Sequence, residues 1–180
     1  MSAQSDCLAI GLDLGTSGVK AVLLSAGGQL LAEAVAPLQV QRPQPLWSEQ
    51  HPADWLQAVD EAVRALRDAA GAVAWGRVAA LGVAGQMHGA VLLDAKSEVL
   101  RPAILWNDGR SQAECDEIER REPATRRITA NRAMAGFTAP KLLWLARHEP
   151  QVFARIAKVL LPKDWLLLQL AGVIDRKSVV

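Results

Sequence analysis

Two apolar runs, residues 8–14 and 19–25, flank Gly15-Thr16-Ser17-Gly18 near the start of the chain. Short apolar runs around a glycine-bearing break predict a hairpin of buried strands. A second turn at Ala26-Gly27-Gly28 leads into residues 29–36 and extends the hairpin to a three-stranded meander. Residues 41–50, with Pro43 and Pro45, read as a loop. Pro52 then suits the first position of a helix, with Asp54 in its first turn. Trp55, Val59, Val63, Leu66 and Ala70 fall on one helical face, which Gly71 ends. Strand character returns at 78–84 and 90–94, around Gly85-Gln86-Met87-His88-Gly89. Beyond Gly109 the pattern is helical. Pro140 opens a helix over 141–148, and Pro162 opens one over 163–170 that Gly172 closes. Strands that precede and alternate with helices predict an α/β domain.

The bulk properties narrow the function classes. A chain of 180 residues, 51% apolar, has enough material for one domain or a little more and collapses into a core. A formal charge of +1 attracts neither nucleic acid nor an anionic membrane. Cys7 and Cys115 are too far apart for a disulfide framework or a zinc site, and two reduced cysteines suit the cytosol. No apolar run reaches the ~18 residues that span a bilayer. The opening MSAQSDC lacks the layout of a signal peptide, and residues 1–7 are expected to be a disordered tail. The expected location is the cytoplasm.

The chemistry concentrates in three strings. In Asp13-Leu14-Gly15-Thr16-Ser17-Gly18-Val19-Lys20, the glycines allow close approach of backbone to a ligand and positive φ. Thr16 and Ser17 add hydroxyls, and successive N–H groups in such a turn form a nest for phosphate. A carboxylate at the end of a hydrophobic strand is costly without a cation, so Asp13 points to magnesium held through water. Lys20 faces either the phosphate or solvent, and a plain glycine-rich hairpin is the competing reading. The spacing is neither a Walker loop nor a dinucleotide turn.

In the second string, Gly85 and Gly89 bracket Gln86, Met87 and His88 directly after a strand, where ligand sites gather in α/β sheets. Gln86 and His88 can bond sugar hydroxyls, and Met87 supplies an adaptable apolar wall. In the third, an apolar strand ends in Trp106, and Trp106-Asn107-Asp108-Gly109-Arg110 offers an indole face, an amide, a carboxylate and a guanidinium. It reads equally as an Asn-Asp-Gly turn with Asp108 capping a helix.

The first string resembles the phosphate loop of the superfamily of actin, hexokinases and sugar kinases. Within that superfamily it is similar to the opening of the FGGY carbohydrate kinases. Ala84-Gly85-Gln86-Met87-His88-Gly89 resembles the signature of the xylulokinase branch, where a Met-His pair contacts the ketose and glycerol kinases have Arg-Glu. Leu46-Trp47-Ser48-Glu49-Gln50, Gly136-Phe137-Thr138-Ala139-Pro140-Lys141 and Leu161-Pro162-Lys163-Asp164-Trp165 resemble family segments in the same order. Trp47, Glu49 and Lys163 are weaker site candidates. Structurally, Trp47 reads as a core anchor, Thr138 as a helix cap and Lys163-Asp164 as a helix start.

The resemblance implies a ribonuclease H-like α/β fold, ATP and Mg2+ as cofactors, and D-xylulose or a related ketose as substrate. It allows a homodimer in a full-length form. Asp13 would serve magnesium and phosphate. Gly15, Thr16, Ser17 and Lys20 would serve the nucleotide, and Gln86, Met87, His88, Trp106, Asn107 and Asp108 the sugar. The resemblance runs over 8–172 and leaves 173–180 as an unlike tail. It places the general base and a second domain downstream of the chain, so that the first domain is incomplete. The isolated chain is then expected to be inactive, because phosphoryl transfer rests on positioning and charge stabilisation, and to express poorly or need a partner, because an incomplete domain leaves a sheet edge uncovered. The readings left open are a xylulokinase-type enzyme, a non-catalytic sugar-binding or broken-gene remnant, and an FGGY kinase for another sugar or polyol.

Overall fold

The computed structural model describes residues 7–172. Apart from Cys7, the expected amino-terminal tail lies outside the described residues, as does segment 173–180. Along the chain run β1 (Leu8–Leu14), β2 (Gly18–Ser25), β3 (Leu30–Pro37), β4 (Glu49–Gln50), α1 (Pro52–Trp75), β5 (Val78–Gly85) and β6 (Val91–Leu93). They are followed by β7 (Ala103–Ile104), α2 (Gln112–Arg121), α3 (Thr125–Thr129), α4 (Thr138–His148), α5 (Pro150–Phe153), β8 (Lys158–Leu160) and α6 (Pro162–Ala171). The chain divides into two compact units. One takes the chain as far as Gln39, then Ala53–Gln86 and the chain from Leu166 onward; the other takes Val40–Pro52 and Met87–Trp165.

The first unit is built on a sheet of order β3-β2-β1-β5. β1 and β2 pair antiparallel with Leu14 opposite Val19, Leu12 opposite Ala21 and Ile10 opposite Leu23. All six side chains are buried, because the two-residue period of a strand puts them on one face. β3 continues the meander antiparallel to β2, and β5 returns parallel to β1 after α1. A parallel return needs a long crossover, and the helix supplies it. α1 buries Trp55, Ala58, Val59, Ala62 and Leu66, a stripe at helical spacing. Burial of Trp55 and Leu66 is worth about 1.5–3 kcal/mol for each large side chain. The helix breaks at Gly71 (φ 78°), where it was expected to end, but resumes to Trp75.

The second unit gathers Ala90, Leu92, Ile104, Trp144 and Leu145 into its core. Trp47 packs edge-on to Trp144, with ring centres 5.4 Å apart, as the charge distribution of the indoles favours. Two short antiparallel ladders, β4 with β7 and β6 with β8, frame this core. Arg147 on α4 ties α2 down through Glu114 and Glu117. Two boundaries differ from expectation. The strand foreseen up to Trp106 stops at Ile104, because Asp108 N–H turns back to donate to the Leu105 carbonyl. α4 starts at Thr138, ahead of Pro140, which a first helical turn tolerates because its missing N–H has no partner there.

Candidate functional site

The turn that joins β1 to β2 belongs to the first unit. Gly15 N–H donates to the Gly18 carbonyl at 3.0 Å, and Leu38 N–H donates to the Ser17 carbonyl at 2.9 Å. Neither Gly15 nor Gly18 uses the positive φ foreseen for them. They are glycines for want of space: a β-carbon on Gly18 would lie 2.7 Å from the Ala36 carbonyl oxygen, and one on Gly15 3.1 Å from that of Gly18. Asp13 sits at the end of β1, opposite Lys20 on β2 and Ala84 on β5. It is exposed, so the argument that a buried carboxylate demands a cation does not hold. Lys20 Nζ lies 2.7 Å from Glu33 Oε2, both half-exposed, so strand alternation has sent it to the surface.

Gln86 is drawn to this turn. Its backbone N–H donates to the Leu14 carbonyl at 2.8 Å, and its side-chain Oε1 accepts the Thr16 hydroxyl at 3.2 Å. Sequence reasoning grouped Gln86 with the sugar residues; the fold groups it with Thr16, because β5 lies alongside β1 and delivers Gln86 to the end of that strand.

The second unit carries Met87 and His88. Met87 is 58% exposed. His88 is half-buried at φ 59°, a left-handed conformation that costs a residue with a β-carbon about 1–2 kcal/mol. Three contacts hold it there. Its carbonyl accepts Lys141 Nζ at 2.7 Å and the Thr138 hydroxyl at 3.3 Å, and its ring packs on Phe137 with centres 4.5 Å apart. Thr138 therefore bonds a distant loop, and no side-chain bond caps α4. Burial first, and the Lys141 charge second, push the imidazole below its ordinary 6.5. At neutral pH it is uncharged, with one nitrogen to donate and one to accept. Trp106 and Asn107 are exposed.

Asp108 has a different place from the one expected. Its side chain is buried and accepts four hydrogen bonds: from Ser48 N at 2.6 Å, and from Arg110 N, Nε and Nη2 at 2.9, 2.9 and 2.7 Å. It faces inward rather than capping α2, whose N-cap position is Ser111; the Ser111 hydroxyl does not cap the helix and donates to the Ala135 carbonyl instead. Arg110 Nη2 also lies 2.7 Å from Glu49 Oε1, and Arg101 bonds Glu49 and Glu149. The Arg110 guanidinium lies 3.6 Å from the centre of the Trp47 ring. Trp47 and Glu49 thus belong to a buried ionic core, while Lys163 lies 3.1 Å from Asp164 at the start of α6.

Sequence reasoning missed Lys141. Its side chain is fully buried, donating to the carbonyls of His88 and Gly136 at 2.7 and 2.8 Å. The signal was present: Lys141 precedes the buried Trp144 and Leu145 by three and four residues, the spacing of one helical face. Burial first, with Arg110 adding repulsion and Asp108 opposing, pushes its amine down to about 7 from 10.5. Between those values the unfolded chain holds a proton that the fold does not, so stability rises with pH across that window. The stability of the wild type relative to Lys141→Met is expected to grow by about 1–2 kcal/mol from pH 7 to pH 9. Urea unfolding at both pH values checks this, and a constant gap refutes it.

Three comparisons bear on this arrangement. Residues 8–177 match the model of the FGGY family of carbohydrate kinases, N-terminal domain. The chain is 58% identical over 163 residues to the xylulose kinase of Escherichia coli (strain K12), covering 91% of this chain and 33% of that protein. Its fold superposes on the crystal structure of a xyloylose kinase from Brucella ovis with a TM-score of 0.88 and 53% identity, over 92% of this chain and 34% of that one. It also superposes on the xylulose kinase from Rhodospirillum rubrum with a TM-score of 0.87 and 33% identity, over 93% and 35%. The chain therefore spans about a third of the length of the curated relatives it matches.

Proposed function

Because the chain belongs to the FGGY family of carbohydrate kinases, we propose that it forms the sugar-recognising part of an ATP-dependent D-xylulose kinase acting on the terminal hydroxyl. The observation that carries the substrate is Met87-His88. The imidazole is uncharged, held by its own backbone on Lys141 and Thr138, and flanked by an exposed thioether. A neutral group that donates at one nitrogen and accepts at the other suits a polyhydroxy ketone better than an anionic sugar acid. Relatives named xylulose kinase support the same choice.

ATP and Mg2+ are part of the proposal. Among the described residues no group of three or more His, Cys, Asp or Glu side chains could hold a metal. Asp13, an exposed carboxylate at the end of β1 beside the Gly15–Gly18 turn, is the residue that would hold magnesium next to the phosphates. When bound, the ion neutralises charge on the transferring phosphoryl group. The chain's own part is to hold the Asp13 carboxylate at the end of β1 and to present the Thr16 and Ser17 hydroxyls beside it. Thr16 is steadied by Gln86. The proton acceptor for the sugar hydroxyl, and most of the nucleotide site, belong on this reading to the remaining length of the relatives.

Among the described residues no helix is long and apolar enough to cross a membrane; a cytoplasmic location is part of the proposal. The test is ATP-dependent phosphorylation by the full polypeptide that contains these residues, with xylulose, glycerol and gluconate in parallel. Turnover on xylulose at least tenfold more efficient than on the others is expected. Turnover on glycerol or gluconate without xylulose refutes the substrate.

A further inference from the structure

A lysine is rarely buried completely unless a carboxylate pairs with it. Lys141 is buried completely, and the acceptors of its amine are two backbone carbonyls, those of His88 and Gly136. Both carbonyls belong to segments that present site residues. His88 stands at a left-handed φ that its own side chain does not favour. Gly136 lies so close to Trp106 that a β-carbon there would come within 2.1 Å of the Trp106 carbonyl oxygen. One amino group thus bridges the backbone beneath the half-buried imidazole and the backbone against which the Trp106 carbonyl rests. Thr138, one helical turn before Lys141, donates to the same His88 carbonyl.

We propose that Lys141 is a positioning residue for sugar binding: by bridging the His88 and Gly136 carbonyls it sets the His88 imidazole relative to the Trp106 indole. Two carbonyls held by one buried amine give this pair a stiffness that loose surface loops lack, and a stiff pair loses less entropy on binding a flexible ketose. The inference rests on the reading that His88 contacts xylulose.

The test is a double-mutant cycle in the full polypeptide. Lys141→Met is expected to raise KM for xylulose about tenfold, as for loss of one buried hydrogen bond, with KM for ATP within about twofold of wild type. In the His88→Ala background the same substitution is expected to change KM for xylulose by less than about twofold, because the group it positions is gone. A loss that persists undiminished in that background, or that falls equally on ATP, overturns the inference and marks Lys141 as structural. A normal KM for xylulose in Lys141→Met, with a raised one in His88→Ala, overturns the inference alone. A normal KM in His88→Ala overturns the reading beneath it and the inference with it. Should Lys141→Met fail to fold, Thr138→Val removes the other donor to the His88 carbonyl. It is expected to raise KM for xylulose about threefold, again cancelled by His88→Ala, and a normal KM in Thr138→Val overturns the inference.

Discussion

Replacing Arg110 by methionine is expected to lower the stability of the fold by about 3–5 kcal/mol, as for a buried ion pair that loses one partner. The Arg110 side chain is 1% exposed, and the carboxylates it serves, Asp108 and Glu49, are 0% and 6% exposed. Without the guanidinium, Asp108 keeps only its bonds from the backbone N–H groups of Ser48 and Arg110, and Glu49 keeps Arg101. Methionine preserves an unbranched apolar stem beside Trp47, so the loss is chiefly one of charge and hydrogen bonding rather than volume. Lysine should rescue poorly, because a point charge cannot make the forked contact of Nε and Nη2 with Asp108. Lys20→Met is the control: it breaks the half-exposed pair with Glu33 and is expected to cost about 0–1 kcal/mol. Denaturant unfolding measures both. A loss below about 1 kcal/mol for Arg110→Met would mean that the buried ionic core does not form as described.

Asp13→Ala, in the first unit, is expected to act on activity instead, lowering kcat of the full polypeptide about a thousandfold while leaving stability within about 0.5 kcal/mol. Asp13 is exposed at the end of β1, so no packing is lost with it. If its carboxylate holds the metal that neutralises the transferring phosphoryl group, the loss falls on a step where charge stabilisation supplies most of the rate. KM for xylulose should move little, since the residues proposed for the sugar are Met87, His88 and Trp106. A kcat within threefold of wild type would remove Asp13 from the site. A large fall in stability would instead make it a structural carboxylate. Together the two substitutions separate stability from activity: Arg110→Met is expected to fall on the fold of the second unit, and Asp13→Ala on the phosphoryl transfer proposed for the edge of the first.

The parts legible from the chain alone were those with local causes. The meander, its turns and the crossover helix followed from periods of two and 3.6 residues with glycine and proline at the breaks. Helix starts and strand ends shifted where a tertiary bond intervened, as at Asp108, which closes a turn on Leu105 and ends β7 early. The roles of polar residues were less legible. Asp108 was read as sugar-facing or as a cap, and it is neither exposed nor a cap, because Ser48 and Arg110 engage both of its oxygens. Thr138 was read as a cap and instead steadies His88. Lys141 is a lone lysine in an apolar string, and only the packing of α4 shows that its amine is buried on the His88 and Gly136 carbonyls.

What the sequence determined by itself is the hairpin with Asp13 at its turn. Alternating apolar residues on β1 and β2 can bury one face in only one register, and a slip of a single residue would turn Leu8, Ile10, Leu12 and Leu14 outward. What only the tertiary structure decided is the company each polar side chain keeps. Thr16 meets Gln86 across 70 residues, Ser48 meets Asp108 across 60, and His88 meets Lys141 across 53. A hydrogen bond is satisfied by whichever group packing brings within about 3 Å, and packing is a property of the assembled core rather than of any stretch of chain.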